Sequence, residues 1–153
     1  MSAYRTVELA EIDIVAISLL VARCLPHEAW SESQLLAHIQ HPDTLNLGAY
    51  DEGQLIAFGI SRVVLDEAEL YQIATHPDYV GRGIGTQLMN DMLSLWRLRG
   101  CVMGLLEVNV TNASALRLYE KAGFIENGRR AGYYRTESGR QDAVLMQRVL
   151  AEG

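Results

Sequence analysis

The spacing of apolar and polar positions changes several times along the chain, and each change marks an element. Thr6–Leu9 reads as a short strand. Glu11–Cys24 carries apolar residues at Ile12, Val15, Ile17, Leu19, Leu20 and Val21, which predicts a largely buried helix stopped by Pro26. Ser31 followed by Gln34 has the spacing of a capping box, so Ser31–Gln40 is predicted as a second helix. Leu45–Tyr50 and Gln54–Val64 read as strands joined in a hairpin by Asp51, Glu52 and Gly53. A turn at Asp66–Glu67 leads to a strand over Glu69–Ala74, which ends before Pro77. Thr86–Arg99 places Leu88, Met89, Met92, Leu93, Leu95 and Trp96 on one broad helical face, and Gly100 closes that helix. Val102–Val108 has few charges and reads as a buried central strand. Asn112 can cap a helix to Ala122, with Gly123 at its C′ position. Phe124–Gly128 and Ala143–Val149 read as closing strands joined by an irregular stretch.

The predicted order is βααβββαβαββ. It describes a mixed α+β domain, with helices on both faces of one central sheet, rather than the strict alternation of a doubly wound fold. A chain of 153 residues fits a single domain, expected to span residues 1–153. Apolar residues make up 49% and charged residues 21%, which argues against disorder as the global state.

The net charge of −6 argues against binding nucleic acid through a basic surface. The apolar run Ile12–Leu20 is broken by Asp13 and falls short of the roughly 20 residues that span a bilayer, so no membrane partner is expected. The polar opening stretch does not read as a signal peptide, and a cytoplasmic location is the expectation. Cys24 and Cys101 leave a single disulfide open but give no disulfide scaffold. His27, His38, His41 and His76 show no ligand spacing, and no metal is expected.

The segment with the clearest chemistry is Tyr79-Val-Gly-Arg-Gly-Ile-Gly-Thr86, which follows a strand and opens a helix. A helix N-terminus presents unpaired N–H groups and the positive end of the macrodipole. Glycines let backbone approach an anion with no Cβ in the way. Such a loop can cradle a pyrophosphate. It is too compact for a dinucleotide-binding GxGxxG and lacks the Lys-Ser/Thr of a P-loop. Taken alone, it fits a ligand-free turn equally well.

The loop resembles motif A of the GNAT acetyltransferases, Gln/Arg-x-x-Gly-x-Gly/Ala, with Gly83 and Gly85 on the two glycines and Val80 where Gln or Arg is usual. Leu106-Glu-Val-Asn-Val-Thr-Asn112, Ala115-Leu-Arg-Leu-Tyr119 and Ala122-Gly-Phe124 resemble the pattern of the protein N-terminal acetyltransferases in that superfamily. Val64–Ala68, Tyr133-Tyr134 and Gly139–Ala143 extend the likeness, which runs from about Tyr4 to Val149.

This resemblance implies acetyl-CoA as cosubstrate and an amine as acceptor. The acceptor it implies is a ribosomal protein N-terminus, the N-terminal alanine of small-subunit protein eighteen. Within it, Gly81, Arg82, Gly83, Ile84, Gly85 and Thr86 would hold the pyrophosphate. The backbone of Ile73, Ala74 and Thr75 would bond the pantetheine, and one N–H nearby would polarise the thioester carbonyl. Asn112 would bond the same arm, besides its reading as a helix cap.

Glu107 stands near the end of an otherwise apolar strand. A carboxylate among apolar neighbours suits a general base, and the family pattern gives this Glu that role; a strand-end Glu facing water is the other reading. Tyr119 is the candidate acid toward the leaving thiolate, against a reading as an amphipathic core tyrosine. Tyr133, Tyr134 and Arg135 fall where the family shapes its peptide entrance, or on an ordinary surface loop. Two other functions remain open at this point: acetylation of lysines or small amines, and a non-catalytic acetyl-CoA-binding module.

Overall fold

A computed structural model describes residues 4–26, 28 and 30–150; His27 lies outside them. The strands are β1 (Thr6–Glu8), β2 (Thr44–Asp51), β3 (Gln54–Val64), β4 (Glu67–Thr75), β5 (Met103–Asn109), β6 (Ile125–Thr136) and β7 (Gly139–Val149). The α-helices are α1 (Ile14–Cys24), α2 (Glu32–Gln40), α3 (Ile84–Leu98) and α4 (Ala113–Lys121). Short 3₁₀ turns cover Glu11–Asp13 and Pro77–Tyr79.

All seven strands form one sheet in the order β1-β2-β3-β4-β5-β7-β6. Every neighbouring pair is antiparallel except β4 and β5. A parallel pair needs a crossover, and α3 supplies it. The element order and the single central sheet with helices on both faces agree with the sequence reading.

Two apolar clusters sandwich the sheet. One joins Leu88, Met92, Trp96 and Tyr119 of α3 and α4 to Ile56, Leu70, Leu106 and Val144. The other joins Ile17, Leu20 and Val21 of α1 and Leu35 of α2 to Phe58 and Ile60 of β3. Trp96 is fully buried, and its indole N–H donates to Ser61 Oγ at 3.0 Å. Its ring lies against Gly104 of β5, where an added Cβ would come within 2.9 Å of the ring. The helix-to-strand contact therefore needs glycine at this position, because an interior this densely packed has no room for one more carbon.

The predicted capping box at α2 is present in both directions. Ser31 Oγ accepts from the Gln34 amide at 3.1 Å, and Gln34 Oε1 accepts from the Ser31 amide at 2.8 Å.

Two local readings need correction. The stretch between the closing strands is itself strand: β6 and β7 continue as one long hairpin through Thr136 and Gly139, with a register shift between Arg130 and Tyr134. β6 is an edge strand exposed along most of its length, so it lacks the apolar alternation that signals a strand. α3 starts at Ile84 rather than Thr86, because Gly83, at φ 80°, is its N-cap and Gly85 lies inside the first turn. The two cysteines are both free.

Candidate active site

β4 and β5 pair only from Glu67 to Leu70 and from Met103 to Leu106. Both strands continue, β4 to Thr75 and β5 to Asn109. Their outer edges stay bonded to β3 and β7, so the sheet opens along the line between them. A strand edge without a neighbour presents backbone donors and acceptors to whatever enters the gap. Ile73, Ala74 and Thr75 lie on that open edge, and Thr75 O accepts from the Cys24 thiol at 3.6 Å.

The gap leads into a groove of about 660 Å³. Its walls include Ile73, Ala74 and Thr75, then Gly81, Gly83, Ile84, Gly85 and Thr86, and across from them Asn112 and Ser114. Gly81 and Gly83 have φ of 81° and 80°, and a Cβ on either would meet no protein atom within 4 Å. Their hydrogens face open space, which suits close approach by a ligand. The first helical bond after the loop runs from the Gln87 amide to the Gly83 carbonyl at 3.0 Å. The amides of residues 84–86 therefore have no helical acceptor, and the positive end of the α3 dipole opens into the groove.

Arg117 and Lys121, four residues apart on α4, line the same groove and concentrate positive charge there in a chain of net charge −6. Asn112 Oδ1 caps α4 by accepting from the Ala115 amide at 3.2 Å, while the residue also lines the groove. Arg82 is the predicted loop residue that is not on the walls. Its guanidinium donates to the Tyr4 hydroxyl at 3.2 Å and stacks over the Tyr79 ring at 4.8 Å.

On the other side of the sheet a smaller pocket of about 200 Å³ is lined by Glu28, Trp30, Glu69, Tyr71, Glu107, Tyr133 and Tyr134. Glu107 does not have the apolar surroundings expected of it. Leu106 and Val108 on either side point into the core, at 3% and 5% exposure, and strand alternation turns Glu107 to the opposite face. There its Oε1 lies 3.2 Å from Arg130 Nη2, with the Glu107 side chain 27% exposed. Arg130 also covers the Tyr133 ring at 5.2 Å.

Partial burial and then the nearby Glu107 push the Glu69 carboxyl above its ordinary value, with Arg130 opposing. Burial, then the charges of Glu28 and Glu107, pushes Tyr134 up to about 12. Tyr119 is 6% exposed and packs edge-on against Phe124, with centroids 6.2 Å apart. Burial pushes its phenol up strongly, followed by Glu28 and Tyr134, both of which line the Glu107 pocket.

An anion cradle, an open strand edge and a carboxylate pocket thus converge on one split in the sheet. The model of the acetyltransferase (GNAT) family matches residues 14–124, most of the chain. The chain belongs to the GNAT acetyltransferases. It is an N-acetyltransferase. It is 41% identical over 117 residues to the [ribosomal protein bS18]-alanine N-acetyltransferase of Escherichia coli K12, covering 76% of this chain and 78% of that protein. It is 35% identical over 125 residues to the N-alpha-acetyltransferase RimI of Mycobacterium tuberculosis, covering 79% and 76%. The crystal structure of the ribosomal-protein-S18-alanine N-acetyltransferase from Escherichia coli superposes with a TM-score of 0.92 at 34% identity, over 99% of this chain and 96% of that one.

The GNAT family uses acetyl-CoA, and the structure of a putative acetyltransferase from Salmonella typhimurium with its cofactor acetyl-CoA shares the fold at a TM-score of 0.86 and 18% identity. Among the described residues of this acetyltransferase, no group of His, Cys, Asp and Glu could hold a metal ion. None of its described helices is long and apolar enough to cross a membrane. The sequence reading missed Arg117 and Lys121, whose i,i+4 spacing was there to be read. It also missed Glu69 and Arg130, which reach Glu107 only through the sheet order.

Proposed function

We propose that this single-domain acetyltransferase transfers acetyl from acetyl-CoA to a protein N-terminal α-amine, with the N-terminal alanine of ribosomal protein bS18 as its acceptor. The observation that carries the reading is the split between β4 and β5. It joins the groove at Gly81–Thr86 to the Glu107 pocket on the opposite face. The relatives named for bS18 support the choice of acceptor.

When bound, acetyl-CoA supplies an activated acetyl thioester. The residue 84–86 amides and the α3 dipole receive its diphosphate, with Arg117 and Lys121 adding charge. The residues fit it: the left-handed glycines leave room for phosphate oxygens, and the Ile73–Thr75 edge offers backbone partners to an amide-bearing arm. An N–H on that edge polarises the carbonyl under attack. Asn112 faces the same arm while capping α4.

The acceptor amine enters among Glu28, Glu69 and Glu107, where carboxylates favour a cationic chain end. Glu107 takes its proton, directly or through a water, and the Arg130 guanidinium holds the carboxylate in place between turnovers. Tyr119 serves the departing thiolate. A thiol titrates near 8.5, well below a phenol that burial has pushed up, so Tyr119 donates a hydrogen bond and keeps its proton.

A peptide that begins with the bS18 alanine should gain one acetyl group, localised to its α-amine by fragment mass spectrometry. In Glu107→Gln, kcat/KM should fall on the order of 10²-fold. An unchanged rate would remove Glu107 from the role, and acetylation only of lysines in blocked peptides would overturn the acceptor class.

A further inference from the structure

A chain-end amine titrates near 7.7–8.0, so at neutral pH it arrives mostly as an ammonium with no lone pair to attack. It loses one proton before the attack and a second as the C–N bond forms. Glu107 serves the second of these losses. The first needs an acceptor of its own beside the same amine.

Glu69 stands in that position. It pairs with Leu105 across the β4–β5 ladder, and Glu107 lies two residues further along β5, so both side chains project from one face of the sheet. One strand spacing and two residues of rise put their Cα atoms about 8 Å apart. The ladder ends at Leu70 and Leu106, so Glu69 stands just before the gap and Glu107 just inside it. The two carboxylates wall two cavities at once. One is the acceptor pocket with Glu28, Tyr133 and Tyr134. The other, of about 210 Å³, is lined also by Asn127, Arg130 and Leu145, and the mechanism does not use it.

The groups that face Glu69 come from several elements. Glu107 lies on β5, Arg130, Tyr133 and Tyr134 on β6, Tyr71 on β4 itself, and Glu28 in the segment after α1. Arg62 is its ladder partner on β3, but no ion pair joins them, and Arg62 Nη2 contacts His41 Nε2 at 3.3 Å. Arg130 Nη2 is 3.2 Å from Glu107. Glu69 therefore has no ion-pair partner among the described residues. Partial burial of its carboxyl and then the neighbouring Glu107 raise its proton affinity, with Arg130 opposing. The residue is nevertheless exposed on its outer side, so a proton taken up there can pass on to water.

We propose that Glu69 is a second base, which takes the proton of the entering ammonium, while Glu107 takes the proton released on attack. An N–H bond of the ammonium breaks as an O–H bond forms on Glu69, which leaves a neutral amine. Its nitrogen then bonds the carbonyl carbon as a second N–H proton passes to Glu107. The C–S bond breaks and its electron pair leaves with sulfur. Glu69 returns its proton to water, and Glu107 returns its own to the thiolate, so the sum is amide, thiol and one free proton. The inference rests on the reading of the Glu107 pocket as the amine site.

The test is kcat at saturating N-terminal-alanine peptide, measured between pH 6 and 9.5 for the unaltered enzyme, Glu69→Gln and Glu69→Asp. With Gln, bound ammonium is idle and only free amine reacts. At pH 6.5 kcat should therefore fall on the order of tenfold below that of the unaltered enzyme, and at pH 9 the two should agree within about twofold. Glu69→Asp should recover part of the loss at pH 6.5. Thermal melting of each variant checks that the fold persists. A kcat that is unchanged, or lowered by one factor at every pH, would overturn the second base, as would a change confined to KM, which would leave Glu69 only attracting the ammonium. None of these results touches N-terminal acetylation itself. A rate unchanged at every pH in Glu107→Gln would overturn the amine-site reading and the second base together.

Discussion

Replacing Gly83 by alanine separates the stability of the cradle from its grip on the cosubstrate. Gly83 is the N-cap of α3 at φ 80° and ψ 8°, a conformation that costs an L-residue about 1–2 kcal/mol. For a domain of this size that loss lowers the melting temperature by roughly 2–8 °C. Gly53, in the β2–β3 turn, has φ 81° and likewise meets nothing within 4 Å. Gly53→Ala should therefore cost the same stability at a position that does not line the groove. The two variants diverge in binding. A methyl on residue 83 projects toward the groove lined by Gly81–Thr86 and holds a phosphate oxygen off the amides. Losing one charge-assisted hydrogen bond of about 1.5–3 kcal/mol raises KM for acetyl-CoA roughly 10- to 100-fold. The assay is steady-state release of free CoA thiol at saturating acceptor, with differential scanning calorimetry alongside. Matching losses in melting temperature, with KM raised only in Gly83→Ala, is the expected result. If both variants change KM equally, residue 83 contributes backbone geometry and nothing to the ligand.

Two further outcomes follow from burial. Tyr119→Phe keeps the ring against Phe124 and removes only the hydroxyl, so kcat should fall at least about tenfold with melting temperature nearly unchanged; an unaltered kcat leaves Tyr119 as a core residue only. Burial lowers the His38 imidazole below its ordinary 6.5, an effect that its bond to Asn46 only partly offsets. Below pH 6.5 the unfolded chain then takes up a proton that the folded chain refuses, so stability should fall with falling pH, by at most about 1.4 kcal/mol per pH unit. Chemical denaturation at pH 7.5 and 5.5 reads this slope, and a His38→Gln variant with the same slope would assign the loss elsewhere.

Much of the fold was legible because its signals are local. The Ser31/Gln34 box is a fixed spacing of two side chains, and both of its bonds form. The broad apolar face from Leu88 to Trp96 needs only one buried side. β6 was illegible for the opposite reason. As an edge strand it exposes most of its residues, and a register shift between Arg130 and Tyr134 breaks what alternation remains. That error hid Arg130, and with it the polar character of the Glu107 pocket. The approach of Glu69 to Glu107 follows from β4 lying beside β5, a long-range pairing with no local signature.

In the proposed mechanism the gap between β4 and β5 aims a cosubstrate held at the glycine loop toward Glu107. A crystal structure of the complex with coenzyme A tests it most directly. The diphosphate is expected on the amides of residues 84–86, the pantetheine along Ile73–Thr75, and the sulfur facing Glu107 and the Tyr119 hydroxyl. A diphosphate seated away from the N-terminus of α3, or a sulfur turned away from both side chains, would contradict it.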